Sequence, residues 1–142
     1  MATTIASIAI SNDIASTSVS TSADATLFKA ATTEGMDTMT SVSKKLTSTD
    51  HVDLITATSV STSHNYVYIS NAGASTTDYL SIGIGAVVGS GTYDDGTLPT
   101  EEIGRLYGGD WMFIPWTADT NEDINVKPSV ATEMTIEYIV FS

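Results

Sequence analysis

Apolar and polar residues alternate with a period of two along most of this chain, and this pattern limits its fold more than any other feature. Because successive side chains of a β-strand point to opposite faces, the alternation predicts strands. The clearest case is the segment 79–88, where Leu80 and Ile82 share one face. Small residues occupy the other face, which suits packing against a neighbouring element or subunit. The C-terminal segment alternates likewise and becomes apolar on both sides at Ile139 and Phe141.

β-branched residues dominate and no segment has the period of an amphipathic helix, so the chain is predicted to be all-β. Strands are expected at 3–10, 15–28, 38–46, 52–60, 65–70, 79–88, 103–107, 111–116, 124–126 and 133–141. Turn residues punctuate these segments, notably at 94–96 and 108–110. About eight or nine of these ten segments are expected to form short strands, which predicts an antiparallel β-sandwich of jelly-roll or immunoglobulin-like type, with a small closed barrel as the alternative.

Serine and threonine make up 41 of the 142 residues and are unevenly distributed. Residues 1–63 hold 26 of them but a single aromatic residue, Phe28, so the heavy core is expected in the second half. The chain is predicted to form one domain over 1–142. Ile5, Ile8 and Ile10 are too apolar for a solvated tail, and residues 1–14 are therefore a candidate exchangeable arm.

The charge balance limits the partners. Five basic residues against 17 acidic ones give a formal net charge of −12. This charge would repel a phosphate backbone or an anionic membrane surface, so neither nucleic acid nor membrane is expected as a partner. The chain has no cysteine, which excludes thiol catalysis, disulfides and thiolate metal sites. The N-terminus lacks the regions of a secretory signal, and synthesis in the cytoplasm is expected.

Two histidines, His51 and His64, are the first candidates for acid–base or metal chemistry. Neither belongs to an H-x-H or H-x-x-x-H pair, the spacings expected of metal ligands. No G-x-S-x-G elbow accompanies the many serines. We therefore expect no catalytic residue and no enzymatic activity, and interpret both histidines as strand-edge or turn residues.

The spacing of Asp119, Asn121 and Asp123 offers alternating oxygen ligands of the kind that calcium binds. The calcium-loop pattern then fails, because Ile124 stands where glycine is required and a valine stands where the bidentate glutamate is required. The other acidic loop also lacks a full ligand set; it holds Asp94, Asp95, Glu101 and Glu102. No metal and no cofactor are predicted.

The segment 102–116 concentrates bulky side chains around the predicted tight turn. Beyond the turn, Trp111 and Phe113 fall on one face of a strand and Trp116 falls on the other, while Pro115 marks a strand end or edge. Aromatic residues on both faces indicate that at least one lies at a boundary with another element or chain, and the alternative is that all of them fill the core of a small sandwich. The predicted interaction residues are Ile5, Ile8, Ile10, Trp111, Phe113 and Trp116.

Several motifs follow one another in the second half of the chain. They are Val67-Tyr-Ile-Ser-Asn71, Ile103-Gly-Arg-Leu106, Gly109-Asp-Trp-Met-Phe-Ile-Pro115 and Met134-Thr-Ile-Glu-Tyr138. This succession over residues 64–142 resembles small β-sandwich virion structural proteins of tailed bacteriophages. The resemblance implies a non-enzymatic virion protein of the capsid decoration or cement type, with a tail or fibre component as the alternative.

The resemblance also implies a homo-oligomer, with three- or six-fold assembly, that contacts other virion proteins such as the major capsid protein. Its expected location is the virion, after synthesis in the host bacterial cytoplasm. The residues themselves leave two other classes open. A glycan-binding β-sandwich module would use Trp111, Trp116 and the tyrosines as stacking platforms, and a small hydrolase would need a polar pocket around His51 or His64.

Overall fold

The computed structural model describes residues 3–12, 19–60, 64–85, 100–119 and 122–142. Within these ranges the chain forms antiparallel β-strands and a 3₁₀ turn, Ala57–Ser59, without any helix that could cross a membrane. The strands are β1 (Thr4–Asn12), β2 (Val19–Leu27), β3 (Met39–Leu46), β4 (Val52–Ile55), β5 (His64–Asn71), β6 (Tyr79–Gly85), β7 (Thr100–Tyr107), β8 (Trp111–Thr117), β9 (Ile124–Pro128) and β10 (Met134–Phe141). The all-β antiparallel prediction is confirmed, with ten strands in place of eight or nine.

The chain divides into two compact units, residues 1–37 and 38–142. The first unit contains the two-stranded hairpin of β1 and β2. The predicted arm, residues 1–14, thus includes all of β1, although positions 13 and 14 lie outside the described residues. Exchange of this arm between subunits and the single-domain organisation remain predictions.

The second unit is a sandwich of two four-stranded sheets. One sheet has the strand order β3-β10-β5-β8 and the other has the order β4-β9-β6-β7. Apart from β6 and β7, successive strands alternate between the two sheets, as they do in a jelly roll. Of the two sandwich types that the sequence predicts, this order selects the jelly roll. Both sheets are open, which is inconsistent with a closed barrel.

The core of the second unit lies between its two sheets. Along β5, burial alternates residue by residue, so that Val67 and Ile69 are fully buried. They belong to the same apolar cluster as Leu80 and Ile82 of β6, in the other sheet. Each such side chain contributes about 1.5–3 kcal/mol when it is removed from water. The alternation that predicts these strands therefore also predicts their buried side.

The predicted strand 52–60 is shorter in the structure. β4 ends at Ile55, and the 3₁₀ turn begins at Ala57, whose N–H donates to Asp123 Oδ1 over 2.6 Å. Ile55 and Ala57 are both buried, which preserves the period of two beyond the end of the strand. The strand predicted at 79–88 is observed as far as Gly85, and positions 86–88 lie outside the described residues.

Deletion of residues 1–37 should leave the sandwich folded, because all strand pairs of both its sheets lie within 38–142. Circular dichroism of the truncated chain should show a cooperative thermal transition. Deletion of residues 1–46 is the control, since it also removes β3 and the buried Leu46 and should prevent folding. A 38–142 fragment that is unfolded at room temperature would contradict the division into two units.

Candidate functional site

The solvent-facing side of the β3-β10-β5-β8 sheet is rich in aromatic side chains. The alternation that buries Val67 turns Tyr66 and Tyr68 outward in β5, and β8 turns Trp111 and Phe113 outward in the same way. From β10, outward residues pair in register with the two tyrosines. We call this surface the aromatic face; its members are Met39, Tyr66, Tyr68, Trp111, Phe113, Pro115, Ile139 and Phe141.

The rings of the aromatic face form two stacks across β5 and β8. The ring centroids of Tyr66 and Phe113 are 5.8 Å apart with an interplanar angle of 8°. Those of Tyr68 and Trp111 are 6.1 Å apart at 30°. His64 meets Tyr66 edge-on at 4.6 Å. Such pairs add about 0.5–1.5 kcal/mol each beyond the burial of area, so the rings are held in place before any partner arrives.

No member of the aromatic face is charged, and Glu137, two positions before Ile139 on the same side of β10, is a charged neighbour at its border. Trp111 is 52% exposed and Met39 is 65% exposed, while Tyr66 and Tyr68 are half-buried. Contiguous exposed apolar surface is uncommon on soluble proteins and is typical of interaction sites. The aromatic face is therefore the candidate functional site of the sandwich.

The predicted interaction residues of the N-terminal segment are exposed. In the hairpin register, Ile8 lies opposite Ala23 and Ile10 lies opposite Thr21, which places both isoleucines on one face. Ile5 lies on the opposite face of β1. All three side chains are accessible to solvent, as an interaction residue must be before its partner binds.

Trp116 lies in the core rather than on the aromatic face. It is 3% exposed, and its Nε1 donates a hydrogen bond to the backbone oxygen of Glu122 over 2.9 Å. Alternation within β8 correctly separates Trp116 from Trp111, but the side that holds Trp116 is the buried one. A sugar ring or a partner chain could reach Trp116 only by opening the sandwich.

The side of β6 that carries small residues, opposite Leu80 and Ile82, is buried as far as the structure describes it. Ser81, Gly83 and Gly85 are all buried. The fully buried Asn125 donates a hydrogen bond from Nδ2 to the backbone oxygen of Gly85 over 3.0 Å. This side of the strand therefore packs within the chain and does not offer a free surface to a second subunit.

The aromatic face includes residues that are not among the predicted interaction residues, although the tyrosines belong to the glycan-binding alternative. Tyr66, Tyr68, Ile139 and Phe141 come from two strands that are distant in sequence and adjacent in the sheet. Their signal was present, since both tyrosines alternate with buried residues and the end of β10 is apolar on both sides. The alternation within each strand does not show that β5 and β10 are neighbours, so the sequence does not bring these residues together.

The sequence candidates for metal and acid–base chemistry are scattered. His51 is buried and His64 is half-buried, whereas Asp94, Asp95 and Asn121 lie outside the described residues. Asp123 accepts the Ala57 N–H, and Glu102 pairs with Arg105 over 2.6 Å. Within the described part of the chain, no three metal-type side chains come together.

Chelators are expected to leave the melting temperature unchanged, because neither acidic loop completes a calcium pattern in the sequence. The measurement is a thermal melt of the full chain in calcium-containing buffer, with and without EDTA. A drop of several degrees on adding EDTA would contradict the prediction, because a ligand that binds only the folded state stabilises it.

Asp53 should give the sandwich a small dependence on pH. Burial raises the pKa of Asp53, and the charge of Asp123 raises this pKa further, while Lys44 lowers it. A raised carboxyl pKa means that folding disfavours the charged form. Stability is therefore lost as the pH rises from the unfolded pKa of about 3.9 through the raised folded pKa.

Asp53→Asn should raise the melting temperature at pH 7 and leave it almost unchanged at pH 3. The gain should stay below about 1 kcal/mol, because the side chain is largely exposed to solvent. Thermal melts at both pH values test this, with substitution of the exposed Asp50 as the control. A loss of stability at pH 7 would show that the Asp53 carboxylate is favourable instead.

Comparison with known proteins adds little to this geometry. No protein-family profile matches the chain, and no curated protein matches it. Among solved structures, it is similar to Yersinia pseudotuberculosis-derived mitogen, with a TM-score of 0.43 and 10% identity over 73% of this chain and 85% of that chain. A similarity of this size carries no argument, and the jelly-roll assignment rests on the strand order.

Proposed function

We propose that the chain is a non-enzymatic structural protein of a tailed-bacteriophage virion, of the capsid decoration or cement type. It would bind other virion proteins, such as the major capsid protein, and copies of itself. The observation that carries this proposal is the uncharged aromatic face on a jelly-roll sandwich, an architecture that viral capsid proteins also use. The motif succession over residues 64–142 supports the same class. A tail or fibre component is the alternative place for the same role.

Trp111 is the expected anchor of the contact. Tryptophan and tyrosine dominate the residues whose truncation weakens protein–protein interfaces most, typically by about 2 kcal/mol or more. Trp111 lies on the edge strand β8, is half exposed, and is held by its stack on Tyr68. A partner that covers Trp111 would therefore gain a large apolar contact without ordering a mobile side chain.

Mass spectrometry of purified virions from the phage that encodes this chain tests the proposal. The protein should be present at a constant ratio to the coat protein. Its absence from particles in which the coat protein is abundant would refute the proposal. For the contact itself, Trp111→Ala should reduce incorporation, while Ile103→Ala, on an exposed apolar residue of the other sheet, should not.

A glycan-binding module is the second candidate, favoured by the half-exposed indole of Trp111. Sugar rings stack on open aromatic faces, and lectins also use the jelly-roll architecture. Against this reading, Tyr66 and Phe113 cover one face of each other, and Trp116 is buried. A glycan array that shows no binding, with and without calcium, would remove this candidate. Binding that disappears in Trp111→Ala would favour it.

A further inference from the structure

Among the strands that the structure describes, the sandwich has four at sheet edges, and three of them carry features that discourage pairing with another chain. β8 contains Pro115, which lacks an N–H, and β4 has only four residues. The ladder between β6 and β7 shifts register at Ile82 and Gly83, as a β-bulge does. Proline, short length and bulges are the usual ways in which proteins protect sheet edges. Pairing through these three edges is therefore disfavoured.

The fourth edge strand, β3, is different. It has eight residues, no proline and an unbroken register with β10 from Leu46 to Met39. Its side chains are exposed over Met39–Ser41. Nothing in the described part of the chain pairs with its outer edge. Lysines at the end of β3 are a further protective feature, but they do not extend over its first five residues.

The hydrogen bonds next to β3 show which backbone groups point outward. Thr38 and Ser142 exchange both of their backbone hydrogen bonds, with N···O distances of 3.0 and 3.1 Å. Because bonded and non-bonded pairs alternate in an antiparallel ladder, every second residue from Thr38 onward bonds to β10. The residues between them direct their N–H and C=O groups to the open edge. They are Met39, Ser41, Ser43 and Lys45.

We propose that β3 pairs antiparallel with β3 of a second copy of this chain, about a two-fold axis at Val42. This register is the one that aligns all four outward-directed residues of both strands. It places Lys45 opposite Met39 and Lys44 opposite Thr40 of the second copy, so that no two lysines face each other. Each outward-directed pair then exchanges two backbone hydrogen bonds.

Charge argues for a second copy as the occupant. β3 carries Lys44 and Lys45 and no acidic residue, whereas the whole chain has five basic and 17 acidic residues. Glu133 pairs with Lys45 over 2.8 Å, and Lys44 interacts with the charge of Asp53, so the two lysines offset acidic charge next to this edge. Two copies of a strongly acidic protein therefore repel each other least along this edge. A two-fold contact also requires a surface that complements itself, as this register does.

This inference goes beyond the proposed function, because pairing through β3 does not depend on what the aromatic face binds. A two-fold pair can enter a three- or six-fold assembly only if a second contact links the pairs. An unaltered protein that is monomeric at every concentration and is still incorporated into virions would therefore refute this inference alone. Absence from virions with the pair intact would refute the proposed function alone.

A cysteine cross-link tests the register, since the chain has no cysteine of its own. In the proposed pair, the two Val42 Cα atoms lie about 4.5 Å apart, within the range of about 4.4–6.8 Å that disulfides span. The two Thr40 Cα atoms lie four positions out of line, about 14 Å apart. Under mild oxidation, Val42→Cys should form a covalent dimer and Thr40→Cys should not. No cross-link in Val42→Cys, or equal cross-linking of both, would overturn the register.

Proline substitution tests the pairing itself. Ser41→Pro with Ser43→Pro removes two outward N–H donors from each strand and spares the bonds to β10. The dissociation constant of the dimer, measured by sedimentation, should rise by more than about tenfold. Ser41→Ala with Ser43→Ala keeps the N–H donors and should leave the dissociation constant unchanged.

Hydrogen exchange provides a second measurement on the unaltered protein. The amides of Ser41 and Ser43 should gain protection from exchange as the protein concentration rises. A monomer at every concentration, or unprotected amides in the dimer, would overturn the proposal.

Discussion

Gly108→Ala is expected to be among the most destabilising single substitutions in the sandwich. A Cβ at position 108 would lie 2.6 Å from the backbone nitrogen and oxygen of Ser75 and 2.7 Å from the carbonyl carbon of Ala74. Backbone atoms cannot rotate away from such a contact. Gly108 N–H also donates to the Ser75 oxygen over 2.8 Å, so moving the two segments apart breaks this bond. We expect a loss of about 3 kcal/mol from overpacking and the broken hydrogen bond together.

Two neighbouring glycines provide matched controls for this prediction. Gly109 has a φ of +86°, and a Cβ there would meet nothing within 4 Å, so Gly109→Ala should cost only the backbone strain of about 1–2 kcal/mol. A Cβ on Gly104 would make an ordinary contact with Met112 at 3.5 Å, and Gly104→Ala should have the smallest effect. Urea denaturation of the three variants should reproduce this order. If Gly108→Ala and Gly104→Ala were equally stable, the result would contradict the account of the turn.

Asn71→Ala should have the other large effect. The Asn71 side chain is 1% exposed, its Nδ2 donates to the Leu106 oxygen over 2.9 Å, and its Oδ1 accepts the Gly73 N–H over 3.0 Å. It thus holds the loop after β5 against the end of β7. Alanine would remove both side-chain hydrogen bonds and leave the Gly73 N–H without its acceptor, and a loss of about 2–4 kcal/mol is expected.

Asn71→Asp distinguishes this hydrogen-bond account from a simple loss of volume. Aspartate keeps the size and the acceptor but removes the donor to Leu106 and places a carboxylate against that carbonyl oxygen, so the variant should remain clearly less stable than the original protein. Thermal melts of both variants, with Ser70→Ala on the outward neighbour as control, provide the measurement. If Asn71→Asp were as stable as the original, the bond to Leu106 would contribute nothing.

The sequence predicts the parts of this fold that depend on local periodicity. The alternation in β5 and β8 assigns side chains to faces correctly, because strand geometry has a fixed period of two. It does not show which face is buried, and the prediction of Trp116 as an interaction residue is wrong for this reason. Burial depends on which strands become neighbours, and these pairings join segments far apart in the chain, such as β3 with β10.

The candidate site depends on the same long-range pairings. Trp111 and Phe113 could be selected from the sequence because their segment is dense in aromatic residues. Tyr66 and Phe141 join them only because β5 lies between β10 and β8 in the sheet. The free edge of β3 is likewise invisible in the sequence, since an edge is defined by the absence of a neighbour among the described strands.

The aromatic face and the β3 edge belong to one sheet, and Met39 lies on both. In the proposed register, β3 residues whose side chains lie on the side of the aromatic face pair with β3 residues on that same side in the second copy. The two aromatic faces would therefore lie on the same side of one continuous sheet. A dimer of this kind presents two binding surfaces to a repetitive particle at once, which raises its avidity without any new contact.

A reconstruction of the virion by cryo-electron microscopy tests the central claim most directly. The account predicts density for the jelly roll on the particle, with Trp111 and its stacked partner Tyr68 buried against another virion protein. A particle that lacks this density would contradict the account. So would one in which the chain is present and the whole aromatic face points to solvent.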